Sequence, residues 1–175
     1  MNFFINRMMR AAKLDVNLYE EVEADKTAMG QAVTVVILSS VAAGLGGIAK
    51  AGMGGLVVGA VAALVGWLIW AYLTYLIGTK LLPEPQTKAD YGELLRTIGF
   101  SSSPGIIRVL GIIPGLFWIV STVASVWMLV AMVIAVRQAL DYSNTLRAVG
   151  VCAIGWVIQI LIMSVLFSFV GPPAG

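Results

Sequence analysis

The sequence predicts an all-α integral membrane protein of five transmembrane helices, the third kinked or broken at Pro104, preceded by an N-terminal amphipathic interfacial helix. Three observations carry that class. Of 175 residues, 59% are apolar and 11% charged, against about 25% charged in a soluble domain. Mean hydropathy is +0.94. The apolar residues also fall in runs long enough to cross a bilayer, which takes about 20 helical residues. Residues 1–175 read as one membrane domain. With no His and one Cys, the chain has no means for a His/Cys metal centre, His acid–base chemistry or an internal disulfide. A net charge of +2 leaves no electrostatic footprint for nucleic acid.

Residues 1–14 read as an interfacial helix rather than a signal peptide, because Arg7, Arg10 and Lys13 interrupt the apolar stretch. At about 100° per residue, Phe4, Ile5, Met8, Met9, Ala11 and Ala12 share one half of the helix. Arg7, Arg10 and Lys13 share the other, where they would meet anionic lipid phosphates. Asn17 followed by Glu20 has the pattern of a capping box, so a helix is expected from near Leu18, running on into the first span. Tyr19, Glu20, Glu21, Glu23 and Asp25 then form an acidic juxtamembrane collar. Three readings stand for it: a solvated collar; a docking surface for a basic partner or for the chain's own Arg96, Arg137 or Arg147; or a carboxylate-only divalent-cation site, against which stands the lack of the spaced ligands and Gly of a calcium loop.

The spans are expected at about 28–49, 56–78, 93–114, 116–136 and 148–170. A Gly-rich turn from Gly44 to Gly55 separates the first two. The second carries a small-residue stripe, Gly55, Gly59, Ala63 and Gly66, suited to close helix approach, and Trp67, expected to pack in the bundle. The third holds Ser101, Ser102, Ser103, Pro104 and Gly105 near its midpoint. Pro104 removes an amide donor and clashes with the carbonyl four residues back, and the serine hydroxyls can satisfy freed carbonyls. A kinked structural helix and a discontinuous helix lining a polar cavity both fit. Arg96 and Arg108 flank the break, placed to snorkel to lipid phosphates of opposite leaflets. Gln159 of the fifth span needs an amide partner, with Ser121, Thr122 or Ser125 at comparable depth. With the N-terminus cytoplasmic, nine of the eleven basic residues fall inside, as the positive-inside rule requires; Lys50 and Arg108 are the exceptions. All the acidic residues fall on that side too.

Three segments carry a family likeness: Leu14-Asp15 with Leu18-Tyr19-Glu20-Glu21-Val22-Glu23; Tyr91-Gly92-Glu93-Leu94-Leu95-Arg96 with Gly99-Phe100 and Pro104-Gly105; and Val136-Arg137-Gln138-Ala139-Leu140-Asp141. Together they resemble the Yip family, named for interaction with Ypt/Rab GTPases, and more closely its prokaryotic branch. The resemblance implies five closely connected spans in a prokaryotic plasma membrane, with the N-terminus cytoplasmic and the C-terminus outside. The eukaryotic signature is similar to Asp-Leu-Tyr-Gly-Pro, whereas this chain has Asn17-Leu18-Tyr19-Glu20-Glu21. The architecture therefore carries over and the Rab-type GTPase partner does not.

No nucleophile–base pair, phosphate loop or metal-ligand set appears, and no cofactor is expected. The leading expectation is a non-enzymatic scaffold, adaptor or accessory subunit of a larger membrane complex, acting through its cytoplasmic face and lipid contacts. Its partners would be the phospholipid bilayer, other membrane proteins or a second copy. The alternative is a lipid or small-solute transporter or scramblase that uses the Ser-Pro break. A polar groove reaching Ser102 would favour transport; a dry, fully packed third helix would favour the scaffold.

Overall fold

The computed structural model describes the backbone of residues 3–170, and their side chains apart from 49–55, 162–163 and 165–170. The expectations for Lys50, Gly55 and the tail 171–175 lie outside the described residues. Within them the chain is all helical, with seven α-helices and no strand. These are α1 (Phe3–Ala12), α2 (Val16–Ala24), α3 (Met29–Gly46), α4 (Ile48–Leu76), α5 (Tyr91–Phe100), α6 (Phe117–Ala139) and α7 (Thr145–Val170). A 3₁₀ turn at Lys26–Ala28 joins α2 to α3, α4 runs into a π turn at Ile77–Leu81, and α5 is followed by a 3₁₀ segment, Ser103–Ile112. Among the residues whose side chains are described, three stretches are long and apolar enough to cross a membrane: Lys26–Gly46, Leu56–Leu81 and Phe117–Ala139; Thr145–Leu161 is the apolar part of α7 that falls within them. Val57, Val58, Val61, Val65 and Ile69 of α4 are exposed, as are Trp118, Ile119, Val123 and Val126 of α6. Such a broad apolar exterior is the surface that hydrocarbon covers.

Two expected boundaries need correction. The helix before the first span begins at Val16, not near Leu18, because Asp15 rather than Asn17 is its N-cap and accepts from the Asn17 N–H at 3.0 Å. It does not run on into the span either. Asp25 leaves the helical region at φ −86°, ψ 94°, and its carboxylate caps the Lys26–Ala28 turn through the Thr27 N–H at 2.9 Å. The Gly44–Gly55 turn is likewise absent. Gly47 alone separates α3 from α4, and the glycines beyond it continue a helix.

The polar third segment lies along α3 through a seam of small residues. A Cβ on Gly99 would stand 2.8 Å from the Ala32 Cβ; one on Gly105 would meet the Ser39 hydroxyl, and one on Gly46 the Arg108 carbonyl. Gly46 Cα also lies 3.3 Å from a Cβ built on Gly111. The contacts advance together, so the two segments run parallel. Ser39 to Gly46 is about two turns of α-helix and Gly105 to Gly111 two turns of 3₁₀ helix, which keeps the small residues in register. The expected stripe on α4 does not play this part: nothing lies within 4 Å of a Cβ built on Gly59 or Gly66.

The α-helical path of the third segment ends at Phe100, and chemistry at Pro104 accounts for one unpaired group there. Residue 104 has no N–H to give the Phe100 carbonyl. Ser103 Oγ donates to that oxygen at 2.7 Å, and Ser101 Oγ to the Ile98 carbonyl at 2.7 Å.

Candidate functional site

The collar is divided between two faces of α2. Glu21 and Asp25, four residues apart, turn towards α1. Arg7, only 3% exposed, donates to Glu21 and Asp25 at 2.8 Å each, and to Gln31 Oε1 at 3.1 Å. Arg10 donates to Asp15 at 2.7 Å and to Glu21 at 2.5 Å. Burial works against the Glu21 charge, but the bonds from Arg10 and Arg7 outweigh it and hold the carboxyl below its usual range. Asp25 is held down to about 2 by its bonds from Thr27 and Arg7. The α1–α2 corner that brings these groups together closes with Leu14 at φ 62°, where Asp15 N–H reaches the Arg10 carbonyl and Leu14 N–H that of Ala11. That is a Schellman closure with Leu in the place Gly usually takes.

This overturns part of the sequence reading. Arg7 and Arg10 are directed to carboxylates of the protein, not to lipid phosphates; Lys13 alone of that set is exposed. Tyr19 presents nothing to a partner, because it is fully buried and its hydroxyl donates to the Ala11 carbonyl at 3.4 Å. Arg96 does not snorkel. It is 4% exposed and donates to the carbonyls of Val22, at 2.9 Å, and Glu23, where a cation suits the negative end of α2. Arg147, a candidate partner for the collar, pairs with Glu84 at 3.2 Å instead.

Glu20 and Glu23, on the other face of α2, open onto a polar cavity of about 770 Å³ shared with Glu93, Gln138, Asp141, Arg137 and Tyr142. Each wall is locally determined. Glu93 is fixed by a reciprocal capping box with Asp90, its N–H on Asp90 Oδ1 at 2.8 Å and its carboxylate on the Asp90 N–H at 2.7 Å. Asp141 takes the left-handed conformation at φ 52° that closes α6, with Tyr142 N–H on the Arg137 carbonyl and Asp141 N–H on that of Gln138. Gln138 donates to Glu20 at 2.8 Å. Arg137 bonds to Tyr142, Ser143 and Thr145 and makes no ion pair among the described residues. Burial first, then repulsion from Asp141, Glu93 and Glu20, pushes the Glu23 carboxyl up to about 7, with Arg96 opposing. Glu93, Gln138 and Asp141 escaped the sequence reading as site residues, although each lies in a segment that carried the family likeness.

A second concavity, of about 390 Å³, opens among α3, α4, α6, α7 and the polar segment, and includes Ser39, Ser40, Ser101, Ser102, Arg108 and Gln159. Ser103, Pro104 and Gly105 are buried beside it, against α3. Arg108 donates to Ser125 Oγ at 2.9 Å, and Ser125 donates to the Ser121 carbonyl at 2.8 Å. Ser125 is thus taken up by Arg108 rather than by Gln159. Trp67 is buried with its N–H on the Leu95 carbonyl at 3.1 Å, whereas the Trp70 Nε1 is buried without a partner. Among the described residues no group of three or more His, Cys, Asp or Glu is disposed to hold a metal ion.

The chain matches no curated protein and no solved structure. The family model for the Yip1 domain matches residues 18–167, a span that takes in most of α2, the small-residue seam and both concavities. The chain therefore belongs to the Yip1-domain family of membrane proteins.

Proposed function

We propose that the chain is a non-enzymatic membrane adaptor that receives a basic segment of a partner protein in the cavity between α2, α5 and α6. One observation carries this reading. Three segments far apart in sequence, at Glu20–Glu23, Glu93 and Arg137–Asp141, converge there and bring four carboxylates to a cavity with a single cation. Uncompensated charge of one sign favours a ligand of the other. The adaptor would span a prokaryotic plasma membrane five times, with its N-terminus and this cavity cytoplasmic. The parallel course of α3 and the third segment supports that count, since first and third spans cross in the same direction.

Zero-length carbodiimide coupling in native membranes tests it, because it joins a carboxylate only to an amine in contact. Glu20, Glu23, Glu93 or Asp141 should couple to Lys of a second polypeptide, and the yield should fall several-fold in E20Q/E23Q/E93Q/D141N without loss of thermal stability. Coupling confined to Lys of the same chain would overturn the reading.

A second reading, passage of lipid or small solute, has one supporting observation: the intramembrane concavity reaches Ser102. Reconstituted protein that moves neither a fluorescent phospholipid nor a small polar solute across a vesicle would dismiss it.

A further inference from the structure

We propose that the intramembrane groove binds the phosphate group of a phospholipid, with Arg108 as its counter-ion and an acyl chain lying along Trp67 and Met132 towards the bilayer. The inference rests on the groove alone, and requires neither a docked partner nor lipid transport.

The first observation is a cation with no anion. Asp and Glu occur at positions 15, 20, 21, 23, 25, 84, 90, 93 and 141 only, and none lines the groove. Arg108 enters no ion pair among the described residues. Its direction matters as much. The Arg108 carbonyl lies against Gly46, at the end of α3 remote from the acidic cavity, yet its guanidinium reaches Ser125. The Phe117 ring lies against Gly47 and Gly111 at that same end. Ser125 is eight residues further along α6, about 12 Å deeper. The guanidinium therefore turns along the open groove to intramembrane depth, part-buried beside the exposed Ser125, where an unpaired charge is expensive unless a ligand supplies the opposite one.

The second observation is an excess of donors. A guanidinium has five N–H groups, and Arg108 places one on Ser125. The Trp70 N–H in the same wall is buried without an acceptor. The hydroxyls of Ser40, Ser101 and Ser125 already donate to backbone carbonyls of their own helices, so they cannot neutralise the site. What is missing is a compact, acceptor-only anion, and phosphate matches the guanidinium fork geometrically. Apart from Ser39, Ser102 and Gln159 the rest of the groove is apolar, with Val36, Trp67, Met128, Leu129, Met132 and Trp156 in its wall, and the volume, about 390 Å³, is in the range of ligand pockets. A phosphate carrying a hydrocarbon chain meets both halves; a free phosphate meets only the polar half.

Native mass spectrometry of the full-length protein, released from phosphatidylglycerol nanodiscs into mild detergent, counts what stays bound. Wild-type protein should retain one phospholipid, R108Q at least tenfold less, and W70F, which keeps an aromatic ring but loses the N–H, several-fold less. R108K should recover part of the loss. Millimolar inorganic phosphate should not displace the lipid, and dioleoylglycerol, which lacks phosphate, should not compete. Equal retention by wild type, R108Q and W70F overturns the proposal, and so does equal retention of dioleoylglycerol. Displacement by inorganic phosphate would overturn the lipid as the source. If R108Q does not fold, W70F decides, since it removes the N–H and keeps an aromatic ring in the groove wall.

Discussion

The two faces of α2 carry the same residue type in opposite chemical states. Towards α1, Glu21 and Asp25 sit against Arg7 and Arg10 at 2.5–2.8 Å, and their carboxyls are held below the ordinary range. Towards α5 and α6, Glu20 and Glu23 face Glu93 and Asp141, and Glu23 is pushed up to about 7. Helical geometry makes the division. Glu21 and Asp25 are four apart and Glu20 and Glu23 three apart, so each pair shares a side while the two pairs point away from each other. A run of acids is therefore not one feature. One face is closed by cations and belongs to the fold, and the other is left open.

The largest break in that comparison is at Arg7. Replacing it by Met leaves Glu21 and Asp25 without their most buried partner, and breaking such a pair from one side costs about 3 kcal/mol. Thermal unfolding in detergent should show that loss, and adding E21Q and D25N should recover most of it. The pH dependence has a definite sign. Because Glu21 and Asp25 are held below their ordinary values, their stabilisation is complete above about pH 4.5 and is lost as pH falls towards 2. R7M should make that acid limb shallower without abolishing it, because Arg10 still bonds Glu21 and Thr27 still bonds Asp25. An unchanged acid limb would mean that the closed face is not a clamp.

Glycines show the same contrast between filled and open faces, with a smaller expected effect. A Cβ on Gly99 stands 2.8 Å from the Ala32 Cβ and 3.3 Å from its Cα, whereas one on Gly66 meets nothing within 4 Å. G99A should cost about 2 kcal/mol through overpacking. G66A should be neutral or gain up to about 1 kcal/mol from helix propensity. Equal effects from the two would remove the seam between α3 and the third segment.

The glycines also mark how far the sequence could be read. The membrane class, the apolar helices near 28–49, 56–78 and 116–136, and the polar interruption at Ser101–Gly105 followed from composition and periodicity, which report burial and backbone chemistry directly. Which glycine stripe packs did not, because a stripe records permission for approach and not the identity of the neighbour. The seam actually used pairs a seven-residue spacing with a six-residue spacing, and that only makes sense once Ser103–Ile112 is known to be 3₁₀. Arg7 and Arg96 were misdirected for a related reason. Amphipathicity shows that a helix has a polar face; it cannot tell a lipid phosphate from Glu21, or a headgroup from the Val22 carbonyl. Asp141 joined the cavity through a left-handed closure of α6 that no spacing rule anticipates.

The open face has its own test in Glu23, with the smallest expected effect. Its carboxyl moves from an ordinary 4.5 to about 7 in the folded protein. Between those values the folded state keeps a proton that the unfolded chain has released, so stability falls as pH rises through the window. Glu23 is only half-buried, and solvent in the cavity screens the effect to about 1 kcal/mol. E23Q and wild type should therefore have the same stability below pH 4.5, with E23Q ahead by about that amount at pH 8. Burial ranks ahead of repulsion among the causes, so D141N should lower the Glu23 midpoint without returning it to 4.5. A full return would make the open face a matter of charge alone. A basic peptide bound in the cavity should also lower the midpoint, by stabilising the carboxylate. The same titration, read with and without such a peptide, then separates a cavity closed to cations from one that accepts them.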